Sequence, residues 1–313
     1  MRGRWVRIGF EDGGGGPARA FALAASVALA LVIGATGCAP SGAGAADGER
    51  PASGAAAERG ASVTDDAGLA AGQSGAQADA ASADLVVSAA ASLAEPLQEL
   101  AARYAERAPG TELHLNFGSS GTLQRQIELG APTDVFVSAG RRQMDELVEG
   151  GWVDAAYRAT LLTNRLVVVA AAERDETLAG LEELAGDAWR TVAIGEPETV
   201  PAGAYAREAL QSAGVWEALG PKLLPAKDVR QALVYVETGN ADAGLVYATD
   251  AASSSKVRVA YEVPAGLHEP IEYPIGVAAG SERPEAARAL YEYLRGAEAA
   301  DVFRRYGFEV PAP

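Results

Sequence analysis

Cysteine is all but missing from this chain: Cys38 stands alone among 313 residues, which rules out an intramolecular disulfide. Histidine is nearly as scarce. His114 in TELHLNF and His268 in AGLHEP are the two, and neither stands at metal-ligand spacing from another histidine or cysteine. The serines of FGSSGTL lack the G-x-S-x-G elbow of hydrolases, so a secreted hydrolase is only a remote alternative. Basic residues number 26 against 42 acidic ones, and the net charge of −16 leaves no basic face for a phosphate backbone; nucleic acid is excluded as a partner. No short-period repeat runs through the chain, which excludes a solenoid.

A membrane-spanning run is missing too. The apolar stretch FALAASVALALVIG, Phe21 to Gly34, falls short of the roughly 18 residues a spanning helix needs, and it follows Arg2, Arg4, Arg7 and Arg19. Residues 1–37 therefore read as an export signal. Cys38, directly after ATG, resembles the lipidated first residue of bacterial lipoproteins, with Ala35 where such signals usually carry leucine. From Ala39 to Ala83 the chain is almost entirely small or polar, with one leucine, one valine and no aromatic side chain. Such a segment buries too little apolar surface to offset its ordering entropy, so 38–83 is expected to be a flexible tether behind a lipid anchor.

What remains, from Asp84, alternates strand and helix. DLVVSAA reads as a buried strand, and the following SLAEPLQELAARYAER sets Leu93, Leu97, Leu100 and Tyr104 on one helical face. TELHLNF, TDVFVSA, RLVVVAAA, TVAIG, AGLVYA, KVRVAYEVP and IEYPIGVAA supply further strands. Helices are expected between them, one of them over Leu178 to Ala185. The rhythm predicts two doubly wound α/β lobes with parallel sheets, whose ligands sit at the carboxyl ends of the strands.

Four corners share one pattern, an extended segment delivering small residues into a helix start. Ser92 opens SLAE with Glu95 at capping-box spacing. Ser120 precedes GTLQRQI, Pro201 and Ala202 begin PAGAYAREAL, and Asp228 is placed to cap VRQALVYVE from Val229. Each helix start leaves backbone N–H groups without intrahelical partners and carries about half a positive charge, so several such ends meeting at one point would hold an anion without lysine or arginine. The residue types leave a plainer alternative open, in which the serines are simply caps.

With those corners in view, the chain resembles the substrate-binding proteins of molybdate ABC importers, the ModA family. The matching segments are AAASL, FGSSGTLQRQIELGAPTDVFVSA, LLTNRLVVVA, VPAGAYAREAL, PKLLPAKDVRQALVYVETGNADAGLVYATDA, EYPIGV and FRRYGF. The resemblance implies a type II periplasmic-binding-protein fold, with 84–163 plus 273–313 as one lobe and 164–272 as the other. A hinge near LLTNRL and EYPIGV would join them. It implies an oxyanion, molybdate or tungstate, held by Ser92, Ser120, Ala202, Val229 and Tyr247, with no protein atom bound directly to the molybdenum and no cofactor. Gly121 departs from the pattern, since some members carry serine there. The resemblance further implies a monomer that delivers its ligand to an importer permease from the periplasm or the outer face of the cytoplasmic membrane. The open alternative is another anion on the same scaffold: sulfate, thiosulfate or a small carboxylate. A ferric-ion site would need paired tyrosines or a histidine, and only Tyr247 falls at a corner.

Overall fold

The computed structural model describes residues 83–311; the expected signal segment, Cys38 and the tether up to residue 82 lie outside the described residues. The first run of alternating elements is β1 (Ala83–Ala90), α1 (Ala94–Arg107), β2 (Thr111–Gly118), α2 (Ser120–Glu128), β3 (Val135–Val137), α3 (Arg141–Glu149) and β4 (Val153–Thr163). The second is β5 (Leu166–Ala171), β6 (Val192–Gly195), α4 (Pro201–Ser212), α5 (Trp216–Leu219), β7 (Leu223–Ala226), α6 (Val229–Glu237), β8 (Ala243–Tyr247), α7 (Ala248–Ala252) and β9 (Val257–Glu262). The chain then closes with β10 (Glu272–Ala278), α8 (Pro284–Leu294) and α9 (Ala297–Arg305). The segment expected to be helical from Leu178 is instead a short 3-10 turn, Leu181–Ala185, flanked by Gly180 and Gly186, which are poor helix residues.

Two five-stranded sheets result, ordered β2-β1-β3-β10-β4 and β7-β6-β8-β5-β9. In the first, β1 pairs in parallel with β2 and β3, while β10 runs antiparallel to β3 and β4. In the second, β6 pairs in parallel with β7 and β8, while β5 runs antiparallel to β8 and β9. The expectation of parallel sheets is therefore corrected to mixed ones, and the reason lies in the connections. A helical crossover returns the chain to run parallel. The odd strand of each sheet arrives by a direct crossing from the other sheet, β4 to β5 over Asn164 and Arg165, and β9 to β10 over residues 263–271. The crossings touch: the Asn164 N–H donates to the Ile271 carbonyl at 3.2 Å.

Burial follows the sequence pattern. Leu166 through Ala170 of β5 are fully buried, as befits a strand covered on both faces. Leu93, Leu97, Leu100 and Tyr104 turn inward together around α1. Under the other face of the first sheet, Leu123 and Ile127 of α2 pack with Met144 and Leu147 of α3 against Phe136 and Val153. These layers define two α/β lobes, one on each sheet. Among the described residues no helix is long and apolar enough to cross a membrane.

Candidate functional site

Every corner singled out in the sequence lies at the carboxyl end of a parallel strand. β1 ends into the 3-10 turn Ala91–Leu93 that holds Ser92, β2 runs into α2 at Ser120, and β6 leads to α4 and Ala202. β7 leads to α6 and Val229, and Tyr247 is the last residue of β8. The structure brings all five to one small cavity between the lobes, and none of the five is more than 4 % exposed. A larger cleft lies nearby between α3 and α4, lined by charged side chains such as Arg141, Glu149 and Glu208. The small cavity is the one the corners share.

Ser92 and Ser120 are not caps. The cap of α2 is Ser119, whose Oγ accepts from the Thr122 N–H at 3.3 Å, and α1 has no side-chain cap at all. The capping-box reading of Ser92 and Glu95 is thus corrected. The 3-10 turn rotates Ser92 away from the α1 amides, its Oγ meets the Tyr273 phenol at 3.0 Å, and Glu95 pairs instead with Arg230. Ser120, in the first turn of α2, accepts from the Ala139 N–H at 2.9 Å. Both hydroxyl oxygens are held within the first lobe.

Ala202 and Val229 occupy first-turn positions of α4 and α6, where backbone N–H groups have no intrahelical acceptor. Pro201 starts α4 as the sequence implied, and Asp228 caps α6, its Oδ1 accepting from the Gln231 N–H at 2.8 Å. That bond turns the carboxylate, the one charged side chain among the described residues that line the cavity, toward its own helix. The Tyr247 phenol donates across the cavity to the Ala139 carbonyl at 3.3 Å. Burial pushes the phenols of Tyr247 and Tyr273 well above their ordinary range, so both remain protonated donors at any physiological pH.

The lobes also meet outside the cavity. The Gly121 N–H, beside Ser120, donates to the Thr199 carbonyl of the second lobe at 2.9 Å, and the Arg142 guanidinium reaches the Glu198 carbonyl at 3.2 Å. Arg230, next to Val229, pairs with Glu95 of the first lobe, with Ser253 Oγ at 2.7 Å and with the buried Asp250 at 3.0 Å. Burial lifts the Asp250 carboxyl to about 7 despite the opposing pull of Arg230. Sequence reasoning did not single out Ala139, Asn164 or Tyr273 as polar partners of the site. Their signal was present only as membership in TDVFVSA, LLTNRL and EYPIGV.

His114 is exposed on β2 and His268 lies on the second crossing; neither lines the cavity. Two lobes closed over a small, buried pocket of amide and hydroxyl groups, with no cation among the described residues that line it, define a protein that encloses a small solute. A model of the bacterial extracellular solute-binding protein family matches residues 85–309. The molybdate-binding protein ModA of Escherichia coli K12 is 43 % identical over 72 % of this chain and 89 % of its own length. The putative ABC transporter substrate-binding lipoprotein YvgL of Bacillus subtilis is 41 % identical over 72 % of this chain and 85 % of its own. The solved periplasmic molybdate-binding protein of Azotobacter vinelandii superposes with a TM-score of 0.66 at 26 % identity, covering 73 % of this chain and all of that one. The chain belongs to the bacterial extracellular solute-binding proteins, in their ModA group.

Proposed function

We propose that this protein captures molybdate, and tungstate with it, in the cavity between its lobes and delivers it to an ABC importer. The observation that supports this most is the make-up of the cavity: Ser92, Ser120, Ala202, Val229 and Tyr247, brought together from five separate elements, bring amide and hydroxyl donors and, among the described residues, no cation, with the Tyr247 proton turning from the Ala139 carbonyl to the guest. A pocket that offers donors suits a fully deprotonated tetrahedral dianion, because a protonated oxygen would bring a hydrogen with no acceptor to meet it. The molybdenum is cargo, reached only through its oxygens, and no cofactor is needed. The net charge of −16 does not forbid this, since screening removes distant surface charge over about 8–10 Å while buried dipoles act at contact. Repulsion slows capture at low ionic strength.

In this reading residues 84–163 with 273–313 form one lobe and 164–272 the other, and the crossings at Asn164 and residues 263–271 are the hinge. Ligand contacts from both lobes favour the closed form. The protein works as an extracytoplasmic monomer, tethered through Cys38, beside its permease; it is not an enzyme. A melting series tests the ligand. At a hundred times its dissociation constant, a ligand stabilises by about 2.7 kcal/mol, which raises the melting temperature by about 5–10 °C for a chain of this size. Molybdate and tungstate at micromolar levels should produce that rise and sulfate should not. A rise with sulfate or thiosulfate alone would assign the scaffold to another oxyanion.

Closure makes a separate demand on Gly121. A Cβ there would lie 2.7 Å from the Thr199 carbonyl oxygen and 2.9 Å from its Cα, both main-chain atoms of the opposing lobe. Gly121→Ala is expected to keep the lobes slightly apart and weaken molybdate binding about three- to ten-fold, leaving the melting temperature of the free protein within a degree or two. Titration calorimetry with small-angle scattering at saturating molybdate checks it: the variant should remain the more extended. Equal affinity and equal radius of gyration would show that the lobes meet elsewhere.

A further inference from the structure

Tyr273 is fully buried at the start of β10, and its phenol oxygen lies 3.0 Å from Ser92 Oγ and 3.3 Å from Asn164 Nδ2. The orientation of the Asn164 amide is set by its other neighbours. Its Oδ1 accepts from the Arg165 N–H at 2.9 Å, and its Nδ2 donates to Thr249 Oγ1, also at 2.9 Å. The nitrogen therefore faces Tyr273, and an amide nitrogen carries hydrogens and no acceptor site. Tyr273 must accept from it. The one phenolic proton is left to donate, and Ser92 Oγ is the partner at hydrogen-bond distance. Once Ser92 has accepted that proton, its own hydroxyl hydrogen is free to turn into the cavity.

We propose that Asn164 and Tyr273 are positioning residues that fix Ser92 as a donor to the bound anion, through the ordered chain Asn164 Nδ2–H to Tyr273 Oη–H to Ser92 Oγ–H to guest. Ser120 has the same polarity from a simpler source, the Ala139 N–H that occupies its oxygen. The inference rests on the reading of Ser92 as a ligand contact. It adds a reason why a fully buried tyrosine stands second in β10. Asn164 sits on the first crossing between the lobes and Tyr273 just after the second, so the chain ties the polarity of the pocket to the segments that join the lobes.

A double-mutant cycle on the full chain tests it, with molybdate titrated into the parent, Ser92→Ala, Tyr273→Phe, the double variant and Asn164→Ala. Ser92→Ala should weaken binding at least ten-fold and Tyr273→Phe about five- to ten-fold. The double variant should bind within two-fold of Ser92→Ala, since Tyr273 acts through the hydroxyl already removed. Asn164→Ala should weaken binding in the same direction by less, and it carries the test if Tyr273→Phe fails to fold by its melting curve. A full additional loss from Tyr273→Phe in the Ser92→Ala background would mean that Tyr273 acts by packing, and would overturn the inference while sparing the site. Parent-like affinity of Tyr273→Phe would overturn it as well. Parent-like affinity of Ser92→Ala would overturn the reading of the site itself, and this inference with it.

Discussion

Val229→Pro is expected to weaken molybdate binding by about 10- to 150-fold while leaving the fold in place. The substitution removes a single atom group of interest, the Val229 N–H. Hydrogen bonds to charged groups contribute about 1.5–3 kcal/mol, and a donor subtracted from a buried dianion leaves one oxygen without a partner. The helix itself tolerates the change. Val229 is the first residue of α6, where the N–H makes no intrahelical bond and proline is a common occupant. Asp228 before it is already extended, at φ −156° and ψ 172°, the conformation a following proline requires. The chain uses the same device at the neighbouring corner, where Pro201 starts α4. Val229→Ala, which keeps the N–H, serves as the comparison and should stay within a few-fold of the parent. Calorimetric titration of both variants decides the matter: equal affinities would remove the Val229 amide from the site.

That test matters because the individual corners are less legible in the sequence than the architecture. The inward face of α1 and the buried run of β5 were readable from apolar spacing, because both are local patterns. β4 was not anticipated. Its eleven residues include the half-exposed Tyr157 and Arg158, and its pairing with β10 shifts register twice, so no clean alternation marks it. The antiparallel strand in each sheet was equally hidden, since it is decided by a crossing from the other lobe and not by its own composition. At the site, the five positions came from resemblance to a family, while the residues alone left Ser92 and Ser120 divided between capping and donating. The choice depends on partners far along the chain, Tyr273 being 181 residues from Ser92. Gly121 shows the same limit, because the carbonyl that forbids a side chain there belongs to the opposite lobe. A glycine in a serine-rich corner reads as a turn residue until that carbonyl is seen.

Gly203→Ala should be the most damaging of the single-methyl changes, and it separates the rigidity of the second lobe from the closure of the cleft. A Cβ at Gly203 would fall 1.9 Å from the Gly195 carbonyl oxygen and 2.5 Å from its carbon. Both are main-chain atoms of β6, so no rotamer change relieves the overlap; the first turn of α4 must lift from the sheet. Overpacking a closed interior costs about 1–3 kcal/mol, and a backbone-on-backbone clash belongs at the upper end. The melting temperature of the ligand-free protein should therefore fall by about 6–12 °C. The displaced turn also carries the Ala202 amide, one residue away, so molybdate affinity should drop more than ten-fold. This contrasts with Gly121→Ala, where the obstructing carbonyl lies across the cleft and the free protein avoids it by opening. Thermal melts of the two variants without ligand test the distinction directly, with a large fall expected for Gly203→Ala and almost none for Gly121→Ala. Were both to melt with the parent, α4 would not rest on β6 as closely as the structure places it, and the aim of the Ala202 amide would have to come from elsewhere.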